Sequence, residues 1–241
     1  MKTVIDFHTH ILPGIDDGSS CLKHSIQMLE QEMAQGIDRV VLTPHFYPNH
    51  DSPERFLRRR QRAVQELHQV LAERDDLPKV AVGAEIKFFD GISDCEYLSD
   101  MAISGTRCVL VEMPTTVWTE RMLDELIGIR QKQGLIPIIA HIDRYISPFR
   151  THGIPEKLAG LPVLVQANAE FFIRPFTRPT ALKLLSAERI HLLGSDCHNL
   201  QTRTPNLAQA IDIIVRKLGK ETIERINASQ AYTAIKKKTV Y

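Results

Sequence analysis

The chain has 241 residues, enough to bury a full hydrophobic core, and 43% of them are hydrophobic against 24% charged, a balance that excludes disordered, collagen-like and coiled-coil chains. Lys and Arg number 30 and Asp and Glu 29, a formal net charge of +1, so no general field draws nucleic acid or an acidic membrane. Any anion specificity must be local. The opening MKTVIDFHTH reaches an acid at Asp6 and histidines at 8 and 10, which rules out the apolar core of a secretory signal. Apolar runs such as 135–140 fall far short of the roughly 20 residues of a membrane span. Cys21, Cys95, Cys108 and Cys197 are scattered without a C-x-x-C pair, as suits a reducing compartment. A cytoplasmic protein, with no direct membrane insertion, is expected.

A β-branched run predicts a first strand at 3–7, followed by a helical pattern at about 22–35 that Gly36 stops. A second strand at 39–43 leads to a helix at about 53–74, started by Asp51-Ser52-Pro53-Glu54, which offers a capping side chain, an early proline and a first-turn acid. Strands at 79–83 and 108–111 precede a helix at 119–133; a strand at 136–140 precedes a short helix at 155–159. A strand at 163–166 precedes a helix at 177–186, and a strand at 190–194 precedes helices at 206–217 and from Lys220. All seven strands are continuously apolar, as in a parallel sheet covered on both faces. With no low-complexity hinge, residues 1–241 read as one domain. Strand–helix alternation leaves a β/α barrel or an open doubly wound sheet, and the glycines of 12–18 lack the dinucleotide-binding spacing. An α/β, distorted seven-stranded, TIM-barrel-like fold is predicted.

Six of the seven strands end in metal-ligand residue types: His8 and His10, His45, Glu85, Glu112, His141, then Asp196 and His198. The carboxyl ends of barrel strands converge on one face. Five imidazoles and several carboxylates gathered there need cations, because buried ionised groups require partners. Taken singly each has an ordinary explanation; their joint placement is the signal. His24, His50, His68, His152 and His191 lie in helices, loops or a strand interior and are expected to be bystanders.

Seven motifs in order, D-x-H-x-H-I-L-P-G-I-D-D-G at 6–18, T-P-H at 43–45, A-E-I at 84–86, V-E-M-P at 111–114, A-H-I-D-R-Y at 140–145, V-Q-A-N at 165–168 and S-D-C-H-N at 195–199, resemble the PHP superfamily. Within it the chain is most similar to the metal-dependent protein-tyrosine phosphatases encoded with bacterial capsule and exopolysaccharide genes. The resemblance implies a PHP-type barrel holding three divalent metal ions, with manganese foremost and Fe or Zn²⁺ as alternatives. Carried over position by position, it gives His8, His10, Glu85 and Asp196 to one metal. Glu85 bridges to a second, completed by Glu112 and His141, and Asp17, His45 and His198 hold the third; Asp16 is then structural. This nitrogen and oxygen set, without thiolate, suits borderline divalent ions. Three divalent ions, four carboxylates and a bridging hydroxide leave about one net positive charge, which attracts a phosphate monoester. The implied reaction is phosphotyrosine hydrolysis by a metal-bridging hydroxide, on a protein substrate that the resemblance makes a bacterial tyrosine kinase controlling polysaccharide export.

The resemblance also makes Arg144 and Arg203 the catalytic phosphoryl-holding residues, since a guanidinium fork matches those oxygens. Tyr145, Asn168 and Trp118 could line the cleft. Cys197 and Arg203 satisfy C-x₅-R, the minimal pattern of thiol phosphatases, but no glycine follows the cysteine to cradle phosphate. The basic run 58–62 has acids at 54, 66 and 73 around it and reads as a solvated face or a subunit contact in a homo-oligomer, not a nucleic-acid site. Three rival classes remain: a histidinol-phosphate phosphatase or other PHP phosphoesterase; an amidohydrolase, disfavoured because Glu112 stands where its carbamylated lysine belongs; and a non-enzymatic metal module.

Overall fold

The computed structural model describes residues 4–146 and 153–228; Thr3, His152 and the chain beyond 228 lie outside the described residues. β1 (Ile5–Thr9) is buried throughout and is followed by α1 (Leu22–Ala34). After it Gly36 takes φ 81°, a left-handed turn that glycine adopts without strain. β2 (Arg39–Leu42) and β3 (His45–Phe46) lead to α2 (Pro53–Leu71), where Ser52 Oγ accepts the Arg55 N–H at 3.3 Å and Pro53 occupies the first turn. β4 (Lys79–Val82), β5 (Glu85–Lys87) and β6 (Cys108–Glu112) precede α3 (Glu120–Gln133). Then come β7 (Ile136–Ile139), α4 (Ile154–Ala159), β8 (Leu164–Asn168), α5 (Ala169–Ile173), α6 (Arg178–Ser186), β9 (Leu192–Gly194), α7 (Leu207–Leu218) and α8 (Lys220–Asn227).

Every strand pair is parallel, in two sheets ordered β1-β2-β4 and β3-β5-β6-β7-β8-β9. The described residues thus hold nine strands where seven are predicted. Beyond β2 and beyond β4 the chain breaks for two residues and pairs again as β3 and β5. Pro44 has no N–H to give a ladder, and a Cβ on Gly83 would stand 3.0 Å from the Ile103 side chain. The breaks lie side by side, with Gly83 N–H on Leu42 O and Glu85 N–H on Pro44 O. Below them Ile103 and Ser104 fill the gap between β4 and β6, bonding Cys108 O and Val82 O.

The sheet curls until its ends meet: Asp196 N–H donates to His8 O at 2.8 Å and His10 N–H to Cys197 O at 2.9 Å. Against its two faces packs a core that includes Phe7, Leu42, Val109, Ile138, Val165 and Leu193, with Val109 and Ile138 on opposite faces. Other predicted bounds shift. β1 runs to Thr9, so His8 sits within the strand; α2 ends at Leu71, after which Arg74 turns outward to Asp76 and Glu30. α5 is a short helix that the sequence pattern does not show.

Candidate metal centre

The curl brings all nine expected ligand residues to the carboxyl ends of the strands. His8, His10, Glu85 and Asp196 present atoms within 4.8 Å of one another, as do His10, Asp17, His45 and His198, and His45, Glu85 and Glu112. His141 joins through Nε2, 2.8 Å from Glu85 Oε1 and 3.8 Å from Glu112 Oε1. Asp17 is the exposed member, with its Oδ1 3.5 Å from both His45 Nε2 and His198 Nε2.

The donor atoms fit cations. His8 Nε2 and His10 Nε2 lie 3.1 Å apart, each 3.1–3.2 Å from Glu85 Oε2 and 3.4–3.5 Å from Asp196 Oδ1. Neighbouring donors around a first-row divalent ion with bonds of about 2.1 Å are separated by about 3.0–3.4 Å. Asp196 Oδ1 and His198 Nε2 are buried without a hydrogen-bond partner, which is costly unless something else satisfies them. The fit favours metal.

Hydrogen bonds behind the imidazoles fix which nitrogen faces the cluster. His10 Nδ1–H donates to Asp16 Oδ2 at 2.8 Å, His8 Nδ1–H to Gln166 Oε1 at 3.2 Å, and His198 Nδ1–H to Asp196 O at 2.9 Å. Each arrangement leaves Nε2 as the inward lone pair. Gln166 Oε1 also accepts the His141 N–H at 2.6 Å, and Asp16 Oδ2 accepts the His45 N–H at 3.0 Å. Asp6 Oδ1 accepts from Ser195 N–H and His8 N–H, tying β1 to the end of β9. Close packing completes the frame: a Cβ on Gly194 would stand 2.6 Å from His8 Cβ, and one on Gly18 would strike His10 O. His141 and Asp196 themselves take left-handed φ values of 32° and 56°, and such strain concentrates at functional sites.

The charges interlock. Burial works against the Glu85 carboxylate, but the His8 charge and hydrogen bonds from His10, His141 and His8 hold it well below the usual range. Asp196 behaves likewise between His8 and His10. Burial opposes the charge on His8 and His10 too, yet their carboxylate neighbours raise both rings above the ordinary histidine value. On the outer side burial and the His10 charge lower His198 to about 4, and burial lowers His45.

Arg144 Nη2 donates to Asp196 Oδ2 at 2.6 Å and Arg203 Nη2 lies 2.9 Å from the same oxygen, so both guanidiniums converge on the cluster. They line a cavity of about 470 Å³ with Asn168, Phe171 and Arg174. A second cavity, about 390 Å³, opens on Asp17 and His45 and is walled by Tyr47, His50, Arg55 and Arg59. The basic run is partly spent on contacts within the chain, because Arg59 bonds Asp51 and Ile15 O, and Arg60 bonds Gly83 O and Asp100 O. Tyr145 is buried with its hydroxyl on Met113 O, and Trp118 packs edge-on against it at 5.1 Å, so both support His141 rather than face the cleft. Asn168 Nδ2–H donates to Asp196 Oδ2 at 3.0 Å.

Cys197 does not face either cavity. It is fully buried, its thiol points at Glu32 Oε1 3.8 Å away, and burial with the Glu32 and Asp6 charges pushes it well above the usual thiol range. The loop amides of His198 and Asn199 bond Arg203 O instead of forming a phosphate cradle. Among the bystander histidines, His24 pairs with Ser20, His191 Nδ1 accepts the Val165 N–H, and His50 walls the second cavity. Gln166 and Asp6, which hold candidate ligands in place, have no role in the sequence reading although both stand in its motifs; a glutamine inside an otherwise apolar strand is the available signal.

Comparison with known proteins places this geometry in context. The tyrosine-protein phosphatase YwqE of Bacillus subtilis (strain 168) is 29% identical over 227 residues, covering 90% of this chain and 86% of that protein. The tyrosine-protein phosphatase CpsB of Streptococcus pneumoniae is 28% identical over 233 residues, covering 92% and 94%. A solved structure described with YwqE and CpsB as unique metal-dependent tyrosine phosphatases superposes with a TM-score of 0.81 and 25% identity, over 99% of this chain and 96% of that one. The sequence profile described as capsular polysaccharide synthesis, CpsB/CapC, matches residues 4–236, so the chain belongs to the CpsB/CapC family.

Proposed function

We propose that the chain is a metal-dependent phosphatase that hydrolyses phosphotyrosine on a protein, and that its substrate is a bacterial tyrosine kinase governing capsule or exopolysaccharide synthesis. The observation that carries the reading is the cage of His8, His10, Glu85 and Asp196, whose imidazole Nε2 atoms lie 3.1–3.5 Å from each other and from the two carboxylates, with two arginines aimed at one wall. Three ions would be held by His8, His10, Glu85 and Asp196, by Glu85, Glu112 and His141, and by Asp17, His45 and His198. This donor set is compatible with Mn²⁺, Fe or Zn²⁺, and the resemblance to the family puts manganese first. When bound, the ions supply Lewis acidity toward the phosphoryl oxygens and a hydroxide nucleophile near neutral pH.

The protein's own residues do the rest. Arg144 and Arg203 reach phosphoryl oxygens from the Asp196 side and stabilise the charge that builds there. Gln166 and Asp16 hold the imidazoles in the tautomer that binds metal, and Asn168 steadies Asp196. No phosphoenzyme is required. The nine strands are best taken as seven staves of a PHP-type barrel, with β2 and β3 as one stave and β4 and β5 as another, in a single domain over 1–241. No helix among the described residues is long and apolar enough to cross a membrane; on the family resemblance the enzyme is assigned to the cytoplasm, with a homo-oligomer open to it.

The test joins metal analysis to substrate choice. Metal-loaded protein should turn over a phosphotyrosine peptide in preference to histidinol phosphate and lose that activity on chelation. A strong preference for histidinol phosphate, or no phosphatase activity in fully manganese-loaded protein, refutes the proposal.

A further inference from the structure

The described residues carry three exposed large hydrophobic side chains: Tyr47 at 38% exposure, Val117 at 72% and Phe176 at 98%. All three lie on one face. Tyr47 follows β3 and Val117 follows β6, on loops leaving the carboxyl ends of strands where the metal ligands converge, and Phe176 lies between α5 and α6 beside Arg174 and Thr177, which line the larger cavity on that face. The outer surfaces of α1, α2, α3, α6, α7 and α8 show none. Isolated surface hydrophobics are ordinary, but confinement to the rim of the catalytic face is not what scatter produces.

Each of the three is also coupled to the site. The Tyr47 ring stacks on His45, 4.9 Å between centroids, and walls the smaller cavity. Val117 precedes Trp118, whose ring packs on Tyr145, which in turn packs against His141 at 5.7 Å. Phe176 lies between Arg174 and Thr177, both in the wall of the larger cavity, and Thr177 Oγ1 is tied to Phe171 O at 2.8 Å. The basic side chains nearby offer little net charge, since Arg174 is paired with Glu170, and Arg55 and Arg59 with Asp51.

We infer that Tyr47, Val117 and Phe176 form an apolar docking rim that grips the polypeptide on either side of the phosphotyrosine, selecting a protein segment with apolar or aromatic flanks. This rests on the phosphotyrosine reading above and adds which surface recognises the substrate and what flanks it takes. A small phosphate ester would be held within the cavities and would leave the rim untouched. A segment of several residues lying over the cluster would cover it and remove its apolar surface from water. Rim aromatics in such a position become binding anchors.

The test compares two phosphotyrosine peptides, one flanked by leucine and phenylalanine and one by glycine and serine, with para-nitrophenyl phosphate as the small substrate. Wild-type protein should prefer the apolar-flanked peptide, chiefly through KM. Val117→Ser and Phe176→Ser together should erase about a tenfold preference, lowering the ratio of peptide to para-nitrophenyl phosphate kcat/KM while thermal unfolding holds steady. A preference unchanged in the double variant, or a wild type indifferent to flanks, overturns the inference. So does a fall in sedimentation mass in the variant with the ratio intact, which would make the rim a contact between copies of the chain. A wild type that cleaves para-nitrophenyl phosphate but neither peptide defeats the phosphotyrosine reading itself, and is distinguishable on that ground.

Discussion

Gln166→Leu removes a side chain that is not itself an expected ligand yet holds two ligands at once. Its Oε1 accepts the His8 Nδ1–H at 3.2 Å and the His141 backbone N–H at 2.6 Å, while its Nε2–H donates to Asn168 Oδ1 at 2.9 Å. Leucine fits the space but leaves three buried polar groups without that partner. At about 1–3 kcal/mol for each unsatisfied group, the metal-free protein should lose at least about 3 kcal/mol. For a chain of this size that lowers Tm by about 6–12 °C. Freed of its anchor, His8 can also present the wrong tautomer, so metal affinity should weaken by about 10–100-fold. Calorimetric unfolding in chelator and manganese titration of the same preparation read the two effects separately. Gln166→Glu, which keeps an acceptor for His8 and His141, should recover part of the stability. A leucine variant with wild-type Tm and wild-type metal affinity would refute the reasoning.

Arg144→Ala should lower kcat/KM for a phosphotyrosine peptide by about 10²–10³-fold, equivalent to about 3–4 kcal/mol of transition-state stabilisation, with metal content unchanged by elemental analysis. Cys197→Ser should keep most activity, and iodoacetamide should leave Cys197 unmodified in the native metal-loaded protein, as mass spectrometry of digests would show; inactivation by alkylation without metal loss would contradict this. Chelation should abolish activity and manganese should restore it, followed in one continuous assay. Because His8 and His10 are raised above the ordinary histidine value when no ion is bound, metal uptake near neutral pH should release protons, and affinity should rise with pH; titration calorimetry in two buffers of different ionisation enthalpy measures the release. The same raised rings stabilise the metal-free fold below pH about 6.5 and lose that contribution as pH climbs through their folded values, so the Tm of chelated protein should fall over that range.

Much of this architecture could be read before any coordinates, for reasons that individual residues make plain. Continuous apolar runs such as 108–111 and 136–140 are buried on both faces, and burial of that kind leaves little choice but a parallel strand. His45, Glu85 and Glu112 stood out because each ends such a run, where an apolar core gives way to a polar mouth. β3 and β5 escaped notice because two or three residues carry no periodicity and their starts depend on Pro44 and Gly83 interrupting a ladder. Asp6 and Gln166 were harder still. Their value lies in hydrogen bonds to residues as many as 189 positions away, and no local pattern records a partner at that range. The left-handed backbone at His141 and Asp196 is equally silent in sequence, since neither position holds the glycine that usually marks such a turn.

The way the curled sheet shuts has a consequence for how the enzyme is made. Two donors of the first cage come from the opening ten residues and another from position 196, joined only where the strand at the start meets the chain after β9. A ribosome must therefore deliver about four-fifths of the polypeptide before any nascent chain can retain an ion in that cage. Products that end before Asp196 should lack the complete first cage, which makes its closure around an ion a late step in biosynthesis.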